Sequence, residues 1–385
     1  MKIIFLEVTQ NFGGAQKSTI ELAKRLKTLG HQVLIVDLWG CSQSFIDALN
    51  KAHLQWIILS PRKEPFIIAN SSKVKYIKNI INYFFLQKEY RALFDKVTNE
   101  FQPNVVVTHN TKALSLANPK ASYKIDFFAR TWFDFRSIPY LTKKKLKTYK
   151  PRFLTVSQAT RQAIFTGGIA ELKDIKVLTS VAEDKVFESY TPNYKKFNET
   201  NPIKILFSGG FLKTKGQHTC IAVAKKLKDN KIPFKMTLTG IIYKGEISKR
   251  YHHFISKLIS KYELEEQVKI VLSPPNIMEY FKNTDILIHP SWTEGLPRVG
   301  LEALTFGKPI IANPVGGVTD IVIHNFTGFI TDFNAVEQYV EYITRYVENP
   351  ELYKLHSMTA RQLIKQNYLD ANQFESIEKI YPSNK

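Results

Sequence analysis

The stretch PSWTEGLPRVGLEALTFGKPIIANPVGG, from Pro290 to Gly317, compresses a loop, a helix and a strand into one run. A short β-branched segment, Ile286 to His289, precedes it and reads as a buried strand; Ile310 to Ala312 reads as the next. Glu294 and Glu302 stand eight residues apart. On one helix they would share a face, two turns from each other. Gly295 and Pro297 lie between them, however, and proline is tolerated only in a helix's first turn. Glu294 therefore belongs to the loop and Glu302 to the helix. A loop carboxylate can accept hydrogen bonds from sugar hydroxyls, and one about a turn inside the helix can do the same for a ribose diol. The backbone donors at the helix start remain free for phosphates or hydroxyls. Two solvated glutamates are the commoner fate of such a pair. What sets this pair apart is its company: strand, Pro-Ser, loop glutamate, helix, strand, and then Gly316-Gly317.

The same alternation extends over the rest of the chain. Ile3 to Val8, Val33 to Val36 and Val105 to Thr108 read as buried strands. Between the first two, Gln16 to Leu29 carries apolar residues at helical spacing (Ile20, Leu22, Ala23, Leu26, Leu29) and stops at Gly30. Strand, helix, strand in that order implies crossovers and a parallel sheet. After the polar stretch Tyr190 to Pro202 the pattern restarts. Ile203 to Phe207 is a strand and Gly216 to Leu227 a helix, with further strands at Lys235 to Leu238 and Val268 to Leu272. Two doubly wound α/β units follow: 1–190, 191–365, and a C-terminal helix in 366–385 expected to pack back on the first. Ligands in such sheets bind at the carboxyl ends of the strands, so a cleft between facing units is the expected site.

Two glycine-bearing loops join a strand to a helix start. The first runs from Thr9 to Ser18 through Gly13-Gly14-Ala15, and the second from Phe207 to Gly216 through Gly209-Gly210 with Lys213 and Lys215. Backbone donors, the helix dipole and the lysines suit an anion in both places. A plain tight turn, or a solvated lysine, remains open for each. Neither loop is G-x-G-x-x-G, and Gln16 stands where a phosphate-binding Gly-Lys-Ser needs glycine, which disfavours dinucleotide enzymes and loop-type NTPases.

Bulk properties bound the rest. The chain has 385 residues, 44% hydrophobic and 23% charged, enough for two cores. Cys41 and Cys220 have no metal or redox spacing, which suits a reducing cytoplasm. The N-terminus meets Glu7 after a very short apolar run and reads as a strand, not a signal peptide, and no stretch is long enough to span a membrane. The net charge of +20 favours an anionic partner: nucleic acid, phospholipid or phosphorylated substrate. No nucleic-acid module accompanies it.

The ordered set of these features resembles the retaining glycosyltransferases of family 4, which have the GT-B fold: two Rossmann-like domains facing across a cleft. The matching pieces are Gly13-Gly14-Ala15, Gly30-His31, the strand ending at His109, Val156-Ser157, Lys215-Gly216, and then Pro290-Ser291, Glu294-Gly295, Glu302 and Gly316-Gly317. The resemblance implies that Lys215 holds a donor diphosphate, Glu302 its ribose and Glu294 the transferred sugar. Gly13, Gly14, Gly295, Leu296, Pro297, Gly316 and Gly317 would line the donor site, with His109 beside acceptor or donor sugar. A strand-end histidine is as often structural. The family carries arginine where this chain has Gly210; Lys213 is nearby, but lysine is not an equivalent bidentate donor. Thr179-Ser180-Val181-Ala182 likewise replaces a common Asn-Gly-Val-Asp.

What this implies is transfer of a sugar from a nucleotide diphosphate sugar to a glycan or lipid-linked acceptor, in bacterial cell-surface polysaccharide or lipopolysaccharide synthesis. No cofactor is expected, and no metal, since the sequence contains no Asp-x-Asp. The expected location is cytoplasmic, peripheral on the inner face of the plasma membrane. Leu141 to Arg152 holds six Lys/Arg and no acid. Lys73 to Lys96 interleaves lysines with Tyr76, Ile77, Ile80, Ile81, Tyr83, Phe84 and Phe85, as an interfacial helix or a core-packed one would. The rival readings are a catalytically weak nucleotide-sugar-binding protein, or another activity on the same fold such as an epimerase or phosphorylase.

Overall fold

The computed structural model describes residues 1–10, 12–63, 73–131, 138–243 and 245–383, with residues 73–81, 83 and 84 described by backbone alone. The chain divides into two compact units. The first comprises Met1–Val156, Thr160–Leu178 and Phe374–Lys385; the second comprises Ser157–Ala159 and Thr179–Gln373. The stretch from Tyr190 to Pro202 thus lies inside the second unit.

In the first unit the strands are β1 (Lys2–Glu7), β2 (Gln32–Asp37), β3 (Gln55–Ile58), β4 (Val105–Thr108), β5 (Lys124–Ala129), β6 (Arg152–Thr155) and β7 (Ile175–Val177). Among the described residues they form one seven-stranded sheet in the order β3-β2-β1-β4-β5-β6-β7, every pairing parallel. The second unit holds β8 (Ile203–Ser208), β9 (Phe234–Gly240), β10 (Val268–Leu272), β11 (Ile286–His289), β12 (Ile310–Ala312) and β13 (Gly328–Ile330). These form a six-stranded parallel sheet ordered β10-β9-β8-β11-β12-β13. Parallel sheets are covered on both faces, so their central strands are apolar without alternation. That explains Ile3-Ile4-Phe5-Leu6 and Ile286-Leu287-Ile288, all at or below 1% exposure.

The order of the strands positions the sites. Chain progression reverses direction between β1 and β4 in the first sheet, and between β8 and β11 in the second. At such a switch point the loops leaving two neighbouring strands diverge, and the crevice beyond their carboxyl ends accepts a ligand. The loops that leave β1, β4, β8 and β11 carry Gly13, His109, Lys215 and Glu294 respectively. Helices cover both faces. In the second unit Cys220, Ile221 and Val223 of the helix Gln217–Asp229 pack with Tyr339 and Ile343 of Val336–Glu348. In the first, Tyr90 and Phe94 pack on β1, β2 and β4. Both cysteines are free thiols. Among the described residues no helix is long and apolar enough to cross a membrane.

The chain's end returns to the first unit through a buried polar knot. The Tyr381 hydroxyl, fully buried, donates to Asp126 Oδ2 at 2.6 Å. Arg152 makes a bidentate pair with the same carboxylate at 2.9 and 2.7 Å and also donates to the Ile380 carbonyl. A buried carboxylate is tolerated only when its lone pairs are met in this way. Asp126→Ala, which strands Arg152, should therefore destabilise the first unit by about 3–5 kcal/mol, and Tyr381→Phe by about 1 kcal/mol. Urea unfolding monitored on both variants checks this; equal midpoints to wild type would contradict it.

Candidate functional site

In the second unit the loop after β8 closes on the loop after β11. Lys213–Lys215 form one 3₁₀ turn and Gly216 follows in the left-handed region at φ +81°. A β-carbon at 216 would lie 2.3 Å from the Pro290 carbonyl oxygen, so the two loops approach closely only because this residue is glycine. Trp292 N–H then donates to the Thr214 carbonyl at 2.9 Å. The result brings together two residues 79 positions apart: Lys215 Nζ lies 2.6 Å from Glu294 Oε1. His289, the last residue of β11, places Nε2 at 3.0 Å from the same oxygen. Since a carboxylate only accepts, Nε2 carries the proton, and Nδ1, buried, has no hydrogen-bond partner among the described residues.

Burial alone would raise the Glu294 carboxyl. The His289 hydrogen bond and the Lys215 charge outweigh it and bring the group down to about 2 from an ordinary 4.5. Glu294 is therefore an anion at any physiological pH, 12% exposed and aimed at two donors. His289 was not among the residues expected from sequence, although its place at a strand end is the same signal that drew attention to His109.

The rest of the Pro290–Gly317 unit is built as a clasp. Glu294 sits in the loop, and the helix Arg298–Thr305 opens at Pro297 with no side-chain cap, as expected. At the helix start the Gly300 N–H turns back to the Pro297 carbonyl at 2.9 Å. Glu302 lies within the helix, half-buried. Gly295 and Leu296 are buried, and the Gly295 carbonyl accepts from Gly317 N–H at 2.7 Å and from Ser157 Oγ at 3.0 Å. A β-carbon at Gly317 would meet that carbonyl oxygen at 2.3 Å, so the Gly316-Gly317 turn is a backbone clamp on the glutamate loop.

At Gly210 the chain differs from the arginine that the resemblance implies. The Tyr243 ring occupies the space above it, with Cε2 2.4 Å from where a β-carbon would begin. Lys213 is exposed, its ammonium 5.8 Å from the centre of the Trp292 ring.

In the first unit Gly13 precedes the helix Gly14–Thr28, and Gly13 N–H donates to Gln16 Oε1 at 3.2 Å. Asn11 of this loop lies outside the described residues. His109 follows β4. Its Nδ1 is 3.4 Å from Glu7 Oε2 and its Nε2 3.0 Å from the Asn110 side-chain amide. Burial lowers the imidazole's pKa; Glu7 opposes this and Arg130 adds to it. Glu7 and Arg130 were not expected from sequence. Gly13, Gly14 and His109 thus belong to the first unit, and Lys215, Glu294, Gly295, Leu296, Pro297, Glu302, Gly316 and Gly317 to the second.

One consequence follows from the Glu294 geometry. With its folded value depressed, the stabilisation it adds is complete above the ordinary 4.5 and fades as pH falls toward about 2. Carboxyl-carbon NMR should find Glu294 titrating near 2, and His289→Leu should move that midpoint upward by at least one unit, about 1.4 kcal/mol. A midpoint unchanged by the substitution would contradict the assignment of His289.

Comparison with known proteins finds glycosyltransferases. Residues 191–363 match the family described as glycosyl transferases group 1. An uncharacterized glycosyltransferase of Haemophilus influenzae is 24% identical over 373 residues, covering 96% of this chain and 94% of its own length. The capsular polysaccharide biosynthesis glycosyltransferase CapM of Staphylococcus aureus is 20% identical over 339 residues, covering 86% and 80%. Among solved structures, Anabaena Alr3699/HepE in complex with UDP superposes with a TM-score of 0.78 at 18% identity, covering 99% of each chain. Two Rossmann-like parallel-sheet units, the group 1 match over the second and these relatives together support a glycosyltransferase with the GT-B fold.

Proposed function

We propose that this chain is a retaining glycosyltransferase of family 4 that moves a hexosyl group from a nucleoside diphosphate sugar to a hydroxyl of a glycan or lipid-linked acceptor. The observation that carries the proposal is the Lys215–Glu294–His289 cluster at the switch point of the second sheet. In this structure the lysine and the glutamate satisfy each other, which keeps two poorly solvated charges paired. A donor exchanges partners. Its diphosphate takes Lys215, and its sugar hydroxyls donate to the freed Glu294 carboxylate. Glu302 is assigned to the ribose, and the positive end of the helix beginning at Arg298 to the side of the donor that carries phosphate. Gly13, Gly14 and His109 are assigned to the acceptor side and the transferred sugar.

The reaction's demand is charge on the leaving diphosphate, and a pre-placed cation meets it without reorganisation. Lys215 supplies that counter-charge, so the proposal includes no metal and no cofactor. Both glutamates are assigned to hydroxyl binding, so the paired-carboxylate scheme of glycoside hydrolysis is not invoked. The capsular relative CapM and the UDP complex of the Anabaena protein are consistent with a sugar nucleotide as donor and a cell-surface polysaccharide or lipopolysaccharide as product. Lys215→Ala should lower kcat about 100-fold or more, whereas Glu302→Ala should act mainly by raising the donor KM. Release of nucleoside diphosphate across a panel of sugar nucleotides measures both; if no sugar nucleotide binds, the proposal fails.

A location on the inner face of the plasma membrane is proposed from one helix. Tyr140–Tyr149 begins with Tyr140 and Leu141, each 76% exposed, beside exposed Lys144, Lys147 and Lys150. The other basic residues of this run are committed: Lys143 to the Gly167 carbonyl, Lys145 to Ser115, Arg152 to Asp126. Three cations and two apolar residues suit an anionic headgroup layer. The aromatic residues of Lys73–Lys96 read from sequence, Phe85 apart, have side chains outside the described residues. Co-sedimentation with phosphatidylglycerol vesicles at low salt should be lost in Lys144→Glu/Lys147→Glu; wild type staying in the supernatant would rule the location out.

A second reading is favoured by Gly210. With Tyr243 over it, the β8 loop presents no side chain at 210. A catalytically weak sugar-nucleotide-binding protein would bind a donor there and never release its diphosphate, even with acceptor extracts supplied.

A further inference from the structure

Resting on the assignment of His109 to the reacting centre, we infer that Glu7 and Arg130 are positioning residues, holding His109 as a neutral imidazole protonated at Nδ1 and anchoring the Gly13-Gly14 loop to it. β1, β4 and β5 are neighbours, and their carboxyl ends deliver Glu7, His109 and Arg130 in a row. The Glu7 side chain is 2% exposed, so its carboxylate needs donors from the protein. Thr19 Oγ1 donates to Oε1 at 2.6 Å, and Arg130 Nη1 stands 3.7 Å from the same oxygen. Oε2 has no hydrogen bond that meets strict geometry, and the group facing it is His109 Nδ1 at 3.4 Å.

The tautomer follows from the other nitrogen. Asn110 caps the helix Thr111–Leu114, its Oδ1 accepting from Lys112 N–H at 3.0 Å and Ala113 N–H at 2.9 Å. The cap fixes which way the amide points, so it is Nδ2 that faces His109 Nε2 at 3.0 Å. An amide nitrogen donates, hence Nε2 accepts, and in the neutral ring the proton sits on Nδ1. That proton faces the Glu7 carboxylate. Nε2 is taken by the Asn110 amide and the Nδ1 proton faces the Glu7 carboxylate, which makes His109 an oriented neutral dipole.

Arg130 extends the row to the glycine loop. Its Nη1 donates to the Ala15 carbonyl at 2.8 Å and to Thr19 Oγ1 at 2.6 Å, and its guanidinium lies 4.6 Å from the centre of the Phe128 ring. Ala15 and Thr19 belong to the first turns of the helix that Gly13-Gly14 opens. One guanidinium therefore ties that helix start to Glu7, and through Glu7 to His109.

The test is nitrogen-15 NMR of histidine-labelled, full-length protein at neutral pH, a readout independent of any transferase activity. Wild type should show His109 with a pyrrole-type Nδ1 and a pyridine-type Nε2; the opposite pattern overturns the assignment. In Glu7→Gln the single tautomer should give way to a mixture, and its persistence would remove Glu7 from the role. Asn110→Asp keeps the helix cap but turns the donor facing Nε2 into an acceptor, so His109 should become doubly protonated; a ring that stays neutral contradicts the proposal. In Arg130→Met, amide exchange at residues 15–19 should quicken about tenfold, with Arg130→Lys intermediate; unchanged exchange would show that the loop is held without Arg130.

Discussion

The second unit is organised around one buried charge. The Glu294 carboxylate is placed by a backbone clasp between Gly295 and Gly317 and neutralised by Lys215 and His289 on a single oxygen. Removing an anion from water costs several kcal/mol unless donors meet it. The fold meets that requirement by bringing the ends of β8 and β11 side by side. Gly216 allows the two loops to touch, and the topology provides the crevice beyond them. The group that the fold must neutralise is the one assigned to the donor's sugar, so the stabilising pair and the proposed donor site are one object.

The first unit repeats the scheme with different residues. There a carboxylate, Glu7, this time at a strand end rather than in a loop, faces a histidine just after β4 and a cation at the switch point of a parallel sheet. The difference lies in exposure and partners. Glu7 is almost wholly enclosed, and Thr19 and Arg130 commit it to holding the glycine loop. Glu294 has a lysine partner that is 27% exposed. In the proposal, one carboxylate fixes its surroundings and the other exchanges them.

Much of this was legible in the sequence because parallel sheets leave a strong mark. Unbroken apolar runs at Ile3–Leu6 and Ile286–Ile288 gave away the central strands, and Pro297 set the boundary between loop and helix. Strands β3, β5, β6, β7 and β13 escaped notice. β3, β7 and β13 are edge strands, and sequences such as Gln55–Ile58 or Arg152–Thr155 mix polar and apolar residues over only four positions. Lys215 and Glu294 could be named from sequence, but not their pairing, which depends on two loops meeting across 79 residues. In the sequence Glu7 shows only as the residue that ends an apolar run. Arg130 carries no local signal, since its role comes from the register of three strands. The basic stretch Leu141–Arg152 looked like a uniform charged face, yet Lys143, Lys145 and Arg152 are consumed by internal contacts.

The central claim is that the Lys215–Glu294 pair opens to receive a donor. A crystal structure of the protein soaked with a nucleoside diphosphate sugar tests it most directly. The account predicts Lys215 Nζ on a diphosphate oxygen, Glu294 accepting from sugar hydroxyls while still held by His289, and the ribose at Glu302. A sugar nucleotide bound elsewhere, with the Lys215–Glu294 contact intact, would contradict it.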